Sequence, residues 1–350
     1  MQQLDFAVPY VERCVNTLSG TSVVWPFLNA EKDAGPYELF LDTNALINVD
    51  WASQLPVEIR LQSILNPLPA LLEQWLSNPE LRKKPIPQIE EMIQRLAKLG
   101  FIFRRNFVQD QVALLQKNEA ALRTQFSLIF PYVAIMKSLL SKKTPVDVAI
   151  AQLDSLGQAD IPRFTSCLML TALGVVLKSR QALKLDGDTK PAYSYMESFL
   201  AFQPGKKDEI DRMTIPYLRN RAGDLNLWLT LPALREQRYS FVGTPAVVTG
   251  DKALHRLILR VLPPLLHESQ RTCFTIYSEG LEESLGTKIE QVVKSVEIRS
   301  RGTEKEIAQR AFTLFELAKE FCAKPEERLV LDEAWQQWCL PGLGLAIELV

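Results

Sequence analysis

Two aspartates stand just behind short apolar runs that have the character of buried strands. Asp42 follows residues 37–41 (YELFL), and Asp251 follows residues 245–249 (PAVVT) after a single glycine. In a parallel α/β sheet, ligands bind at the edge where the carboxyl ends of neighbouring strands meet. Two carboxylates close together need a compensating cation to stay ionised, and Mg²⁺ or Mn²⁺ prefers such oxygen ligands. The spacing therefore predicts a divalent-metal site at that edge.

A third aspartate, Asp224, lies between these two in the segment NRAGDLNLWL. Gly223 predicts a turn, which would place Asp224 at the amino terminus of the helix that follows. An N-cap role alone explains an aspartate in that position. Because this helix leads into the second predicted strand, a place in the acidic site is the other interpretation, and both stay open.

The elements around these aspartates have the order of an α/β fold. Strands are predicted at residues 37–41, 245–249 and 273–277, with mostly helical periodicity over residues 55–180 and a clear helix over residues 304–323. Strands that alternate with helices predict a parallel sheet flanked by helices.

The same reading divides the chain into three regions. Residues 1–35 are predicted to be a helical extension with one short helix around residues 8–18. Residues 36–285 would form the central domain, with a large helical insertion at about 55–210, and residues 286–350 a helical carboxyl-terminal region.

Composition sets limits on compartment and partners. The 350 residues carry 40 Lys plus Arg against 41 Asp plus Glu, so only a local basic rim could attract nucleic acid. Five scattered cysteines without a CxxC pair favour a reducing compartment, and two histidines argue against a histidine-built metal site. No secretory signal or membrane-length apolar run is evident, so we expect a soluble, cytoplasmic protein.

The acidic segments also carry a family resemblance. LFLDTNAL resembles the first motif of PIN-domain nucleases, AVVTGDKAL resembles their last acidic motif, and GDLNLWL resembles the third. The likeness covers roughly residues 36–280. It implies a PIN-like parallel sheet flanked by helices, on which carboxylates bind Mg²⁺ or Mn²⁺ and an activated water attacks an RNA phosphodiester.

The resemblance also implies roles for individual residues. Asp42, Asp224 and Asp251 would hold the metal, with Asn44 and Thr249 orienting them. Lys252, Arg219 and Arg221 could contact the substrate phosphates, although exposed surface charge is the simpler interpretation of all three.

The sequence departs from the family pattern in two places. Family members usually carry a glutamate on a helix after the first motif, and the candidates are Glu73, Glu90 and Glu91. We favour Glu73 because an apolar pair precedes it on a helix that faces the core. The long interval between Asp42 and Asp224 indicates an inserted helical block that could select the substrate.

Two functions of different classes follow from these observations. The first is a metal-dependent endoribonuclease, a toxin-like or defence effector in one version, with cleavage of DNA left open. The second is a catalytically silent PIN-like scaffold that binds a protein, with the carboxyl-terminal helices as the surface for a partner or inhibitor.

Overall fold

The computed structural model describes residues 7–29, 35–201, 213–267, 271–277, 281–294, 296 and 302–345. Their contacts divide the chain into two compact units. The sheet unit contains the described residues of 7–118 and 224–275, and the helical unit contains those of 119–223 and 276–345. Of the helices described, none combines the length and the apolar character needed to cross a membrane.

The sheet unit is built on one main sheet. Its strands are β1 (Cys14–Asn16), β2 (Ser22–Val24), β3 (Tyr37–Leu41), β4 (Ser63–Asn66), β5 (Ile102–Phe103) and β6 (Thr244–Thr249). They lie in the order β1-β2-β6-β3-β4-β5. The four strands from β6 to β5 run parallel, while β1 and β2 form an antiparallel hairpin whose second strand pairs with β6. The expected α/β fold with a mostly parallel sheet is therefore confirmed.

The two central strands are the apolar runs that the sequence indicated. All five residues of β3 are buried, and in β6 only Thr244 is partly exposed. Leu41 lies opposite Val248 in the parallel register. Strands without alternation of apolar and polar residues are typical of a parallel sheet covered on both faces.

Helices account for most of the rest of the described chain. In chain order they are α1 (Thr43–Ile47), α2 (Asp50–Gln54), α3 (Val57–Leu61), α4 (Leu68–Ser77), α5 (Pro79–Lys83), α6 (Pro85–Lys98), α7 (Phe107–Ser127), α8 (Phe130–Ser141), α9 (Val146–Gln158), α10 (Thr165–Ser179), α11 (Ala192–Leu200), α12 (Ile215–Glu236), α13 (Leu259–Val261), α14 (Glu283–Lys294), α15 (Glu304–Phe321) and α16 (Pro325–Ala334). A π-helical turn, Leu254–Ile258, precedes α13.

The helical unit has its core around α10. Residues 166–177 of this helix are all buried, and α10 packs against α8, α9, α11 and α14. A helix that is apolar on every side has to be surrounded in this way. The predicted helix at 304–323 is confirmed as α15, whose first turn is closed by a capping box between Thr303 and Glu306.

Three expectations about local structure are wrong. The helix predicted around residues 8–18 is a single 3₁₀ turn, Tyr10–Glu12, followed by strand β1. Pairing with β2 overrides the helical spacing, and Val11 and Leu18, which would have joined an apolar helix face, are 74% and 98% exposed. The block at 55–180 also contains the short strands β4 and β5, which pair in parallel with each other, β4 also pairing with β3.

The third predicted strand does not join the main sheet. Strand β7 (Pro264–Leu266) and strand β8 (Thr272–Phe274) pair with each other, antiparallel, in a separate sheet of two strands. The expected N-cap at Asp224 is the third error, because α12 begins at Ile215 and runs through Gly223 without a turn. The burial of Leu225, Trp228 and Leu231 on this helix outweighs the cost of about 1 kcal/mol for a glycine in a helix.

Candidate functional site

Asp42 and Asp251 lie at the same edge of the sheet. The pairing of Leu41 with Val248 places Asp42 directly beyond the end of β3 and next to the last residue of β6. The backbone N–H of Asp42 donates to the carbonyl of Val248, with 3.0 Å between the two atoms. The expectation that two neighbouring parallel strands bring these aspartates to one edge is confirmed.

The carboxylate of Asp42 is held by donors from both strand ends. It is the N-cap of α1, and its Oδ1 accepts the N–H of Ala45 at 2.5 Å. Its Oδ2 accepts the N–H of Gly250 at 3.1 Å. The hydroxyl of Thr249 also donates to this carboxylate and accepts the N–H of Asp251 at 3.0 Å. Thr249, which is fully buried, therefore links the two aspartates directly.

Burial raises the pKa of Asp42 from 3.8 to about 6. The hydrogen bonds from Thr249, Ala45 and Gly250 oppose this shift, and the negative charge of Asp251 adds to it. The hydrogen bonds of Gly250 and Thr249 with the two aspartates place Asp251 close enough to Asp42 for this repulsion. A cation placed between them would remove both the repulsion and the cost of burying the charge.

Asp251 caps the helix that follows β6. Its Oδ1 accepts the N–H of Leu254 at 2.7 Å, and the π-helical turn begins at that residue. Turns of this type occur frequently at functional sites. Asn44, predicted to orient the metal ligands, is exposed on α1, and its Cβ would lie 3.9 Å from a Cβ added to Gly250.

Glu73 is the candidate glutamate that the structure links to this edge. The hydroxyl of Thr43, the residue after Asp42, donates to Oε2 of Glu73 at 2.5 Å. Glu73 is partly buried on α4, which packs against α1. Glu90 and Glu91, by contrast, are both exposed on α6.

The other predicted site residues lie on α12 or directly after Asp251. Asp224 is partly buried inside α12, and among the described side chains no three or more of His, Cys, Asp and Glu are arranged to hold a metal ion. Arg219 and Arg221 belong to the helical unit, where Nη1 of Arg221 donates to the carbonyl of Phe199 at 2.7 Å. Lys252 is exposed beside Asp251.

The contacts that define the edge therefore join Asp42 and Asp251, and the metal role of Asp224 stays a prediction. Comparison with protein-family models, with curated proteins and with solved structures finds no match to the chain. Mg²⁺ fits such a pair, because in proteins it usually keeps several waters and takes only one or two carboxylates together with substrate phosphates.

A second polar cluster, which sequence reasoning missed, lies at the opposite end of β3. Glu38 is fully buried, and its carboxylate receives Nε and Nη2 of Arg104 at 3.1 and 2.8 Å. Asn66, the hydroxyl of Tyr239 and the N–H of Val242 donate to it at 2.8, 2.9 and 2.9 Å. With five donors the carboxylate is satisfied, so its role is structural. The signal was a single glutamate inside the apolar run YELFL.

Proposed function

We propose that this protein is a PIN-like, metal-dependent endonuclease that hydrolyses RNA, with Asp42 and Asp251 as the ligands of Mg²⁺ or Mn²⁺. The observation that carries the proposal is the position of these two aspartates. They stand at the carboxyl edge of adjacent parallel strands, share the hydroxyl of Thr249, and are close enough that Asp251 raises the pKa of Asp42. Carboxylates are brought together in this way where a cation is to be bound.

The residues at this edge of the sheet would have different roles in the reaction. A bound divalent ion would supply the charge that stabilises the phosphodiester transition state and lowers the pKa of water. The hydroxyl of Thr249 donates to the carboxylate of Asp42 and accepts the backbone N–H of Asp251, which fixes the first carboxylate against the backbone of the second aspartate. Glu73 places a further carboxylate beside α1, held by Thr43, where it can accept a proton or orient a water.

One observation favours the scaffold alternative. Both aspartates cap helices, and a third metal ligand is not grouped with them in the described part of the chain. A pair of capping aspartates would be retained for stability alone. In that case the protein would bind a partner and cut nothing.

Measurements of metal binding and of RNA cleavage together distinguish the nuclease from the scaffold. We expect calorimetric titration with Mn²⁺ to show binding to the wild type and a loss of at least tenfold in affinity for Asp42→Asn and Asp251→Asn, since each loses one ligand charge. Cleavage of fluorescent RNA should need Mg²⁺ or Mn²⁺ and stop with EDTA. Asp110→Asn, which changes an exposed aspartate on α7, is the matched control.

If both Asp42→Asn and Asp251→Asn bind Mn²⁺ as tightly as the wild type, the assignment of these aspartates as metal ligands is wrong. A folded wild type that neither binds Mn²⁺ nor cuts RNA or DNA would support the scaffold.

A further inference from the structure

A groove runs between α9 and α15 in the helical unit. Helix α9 packs against α10 and α14, whereas α15 packs against α8 and α16. Nε of Arg310 on α15 lies 2.9 Å from Oδ1 of Asp160, just beyond the end of α9. Nζ of Lys142, four residues before α9 begins, donates to the carbonyl of Phe321, the last residue of α15, at 2.7 Å. The two helices therefore run antiparallel, and these contacts bound the groove at its ends.

The groove contains a cavity of about 400 Å³ with an apolar floor. Leu139 on α8 and Leu156 on α9, which are 3% and 4% exposed, line it together with the partly exposed Leu317 and Phe321 on α15. All of its described lining residues belong to the helical unit. Cavities of roughly 300 to 1,000 Å³ that combine an apolar lining with a few polar groups are the usual form of small-molecule sites. This cavity has the size and the lining of such a site.

Polar side chains around the cavity are available to a ligand. Thr144, Gln152, Ser155 and Glu320 line it and make no hydrogen bond within the part of the chain that the structure describes. Thr144 is partly buried, and the other three are exposed. The polar head of a ligand can therefore be bound here without breaking a hydrogen bond inside the protein.

Positive charge is concentrated at the end of the cavity where α8 stops. Nζ of Lys178 donates to the carbonyls of Leu140 and Lys142 at 2.5 and 2.6 Å. Burial lowers the pKa of Lys178, and the nearby charge of Lys143 lowers it further. The ammonium groups of Lys142, Lys143 and Lys178 thus lie near one another, whereas Glu320 is the one carboxylate among the described lining residues. This end of the cavity favours an anion over a cation.

We propose that the cavity binds a small anionic amphiphile, a carboxylate whose apolar chain covers Leu139, Leu156 and Phe321 and whose head lies beside Lys142 and Thr144. The lysines determine the sign of the head, because an ammonium group would be repelled by all three. The chain supplies most of the affinity, since each methylene that is buried strengthens binding by about fourfold. Binding here does not require the proposed metal site, because the carboxylate edge belongs to the sheet unit.

Calorimetric titration of the full chain with three ligands tests the chemistry of the occupant. We expect decanoate to bind about fifteenfold more tightly than octanoate, because it buries two more methylenes. Decylammonium has the same chain and the opposite charge, so it should bind at least about tenfold more weakly than decanoate. Higher salt should narrow that difference. A wild type that does not bind decanoate, or that binds decylammonium equally well, overturns the proposal.

A bulky substitution tests whether the ligand lies in this cavity. Ser155→Trp fills it from the exposed side of α9 and should weaken decanoate binding by at least about tenfold, since two or more methylenes lose their place. Ala151→Trp is the matched control, because Ala151 is also exposed on α9 but is not among the described lining residues. Equal affinity in Ser155→Trp and wild type would place the ligand elsewhere and overturn the site.

A change of charge tests the position of the head and decides even if the tryptophan variant does not fold. Lys142→Gln should weaken decanoate binding by about threefold, the size of effect that one exposed ion pair gives. Binding of decan-1-ol, which has no charge, should stay the same. Lys305→Gln, in the first turn of α15, is the matched control. An equal loss for decanoate and decan-1-ol would show that Lys142 does not contact the carboxylate and would overturn the proposed orientation.

Discussion

The hydroxyl oxygen of Thr43 lies 2.5 Å from Oε2 of Glu73, which connects the residue after Asp42 to helix α4. Outer hydrogen bonds of this kind typically contribute about ten- to a hundredfold to metal affinity or activity. We therefore expect Thr43→Val to weaken Mn²⁺ binding or lower kcat by about tenfold and Thr43→Ser to behave as the wild type. Calorimetric titration and RNA cleavage measure this. Equal values for Thr43→Val and wild type would show that the contact is incidental.

Asp42→Asn should be as stable as the wild type, or more stable, when no metal is present. Asparagine keeps the N-cap to Ala45 and removes a charge that burial and Asp251 destabilise, but its NH2 group cannot accept the N–H of Gly250. The first effect outweighs the second, because the pKa of Asp42 is raised from 3.8 to about 6. We expect a gain of up to about 1 kcal/mol in the free energy of unfolding at pH 8 with EDTA. Adding Mn²⁺ should stabilise the wild type but not the variant. Urea unfolding with and without Mn²⁺ tests both statements, and a variant that Mn²⁺ stabilises as strongly as the wild type contradicts them.

His255 should make the protein more stable as pH rises from about 3 to 6.5. Burial, helped by the charges of Arg256 and Lys252, lowers the pKa of His255 to about 3, so the unfolded chain binds a proton in this range that the folded chain rejects. The expected slope is at most about 1.4 kcal/mol per pH unit. Asp42 contributes the opposite slope below pH 6, because its pKa is raised.

The effect of His255 on the pH dependence of stability is therefore measured in the Asp42→Asn variant, which lacks the opposing effect of Asp42. There, His255→Gln should reduce the slope, measured by urea unfolding at several pH values. An unchanged slope would mean that His255 is accessible to protons in the folded state.

Glu38→Gln should cost stability without affecting the site. It removes the charge that pairs with Arg104 and leaves the guanidinium, about 30% exposed, without its carboxylate. Breaking such a pair typically costs about 3 kcal/mol. Glu119→Gln, which changes a pair with Arg123 whose carboxylate is 34% exposed and can be solvated by water, should cost less, about 0.5 kcal/mol. Cleavage per folded molecule should be unchanged in both, and a selective loss of cleavage in Glu38→Gln would place Glu38 in the function.

The central strands could be predicted because local signals agree with the fold. β3 and β6 are uninterrupted apolar runs, each ended by a polar residue at the sheet edge, and the structure places both within one residue of the prediction. Because both strands were predicted with nearly correct ends, Asp42 and Asp251 were also correctly predicted to lie at the same edge of the sheet. The short length of these runs, the turn residues before them and their apolar composition are local signals that favour a strand over a helix.

The remaining strands are defined by partners distant in the sequence. β1 and β2 are three residues each, and β2 pairs with β6, more than 200 residues away. β5 has two residues, too few for a periodic signal. Asp224 was misplaced for a related reason. Gly223 locally favours a turn, but α12 continues through it because the apolar residues of the helix are buried. The glycine itself carries no information about that burial.

The order of the main sheet has a consequence for biosynthesis. β6 lies between β2 and β3, although it follows both by about 200 residues in the chain. When β2 and β3 have been synthesised, the strand that lies between them in the folded sheet has not yet been made. Asp42 has no second carboxylate beside it until residues 244–251 leave the ribosome and β6 pairs with β2 and β3. The growing polypeptide therefore lacks one of the two carboxylates of the proposed metal site until this part of its message has been translated.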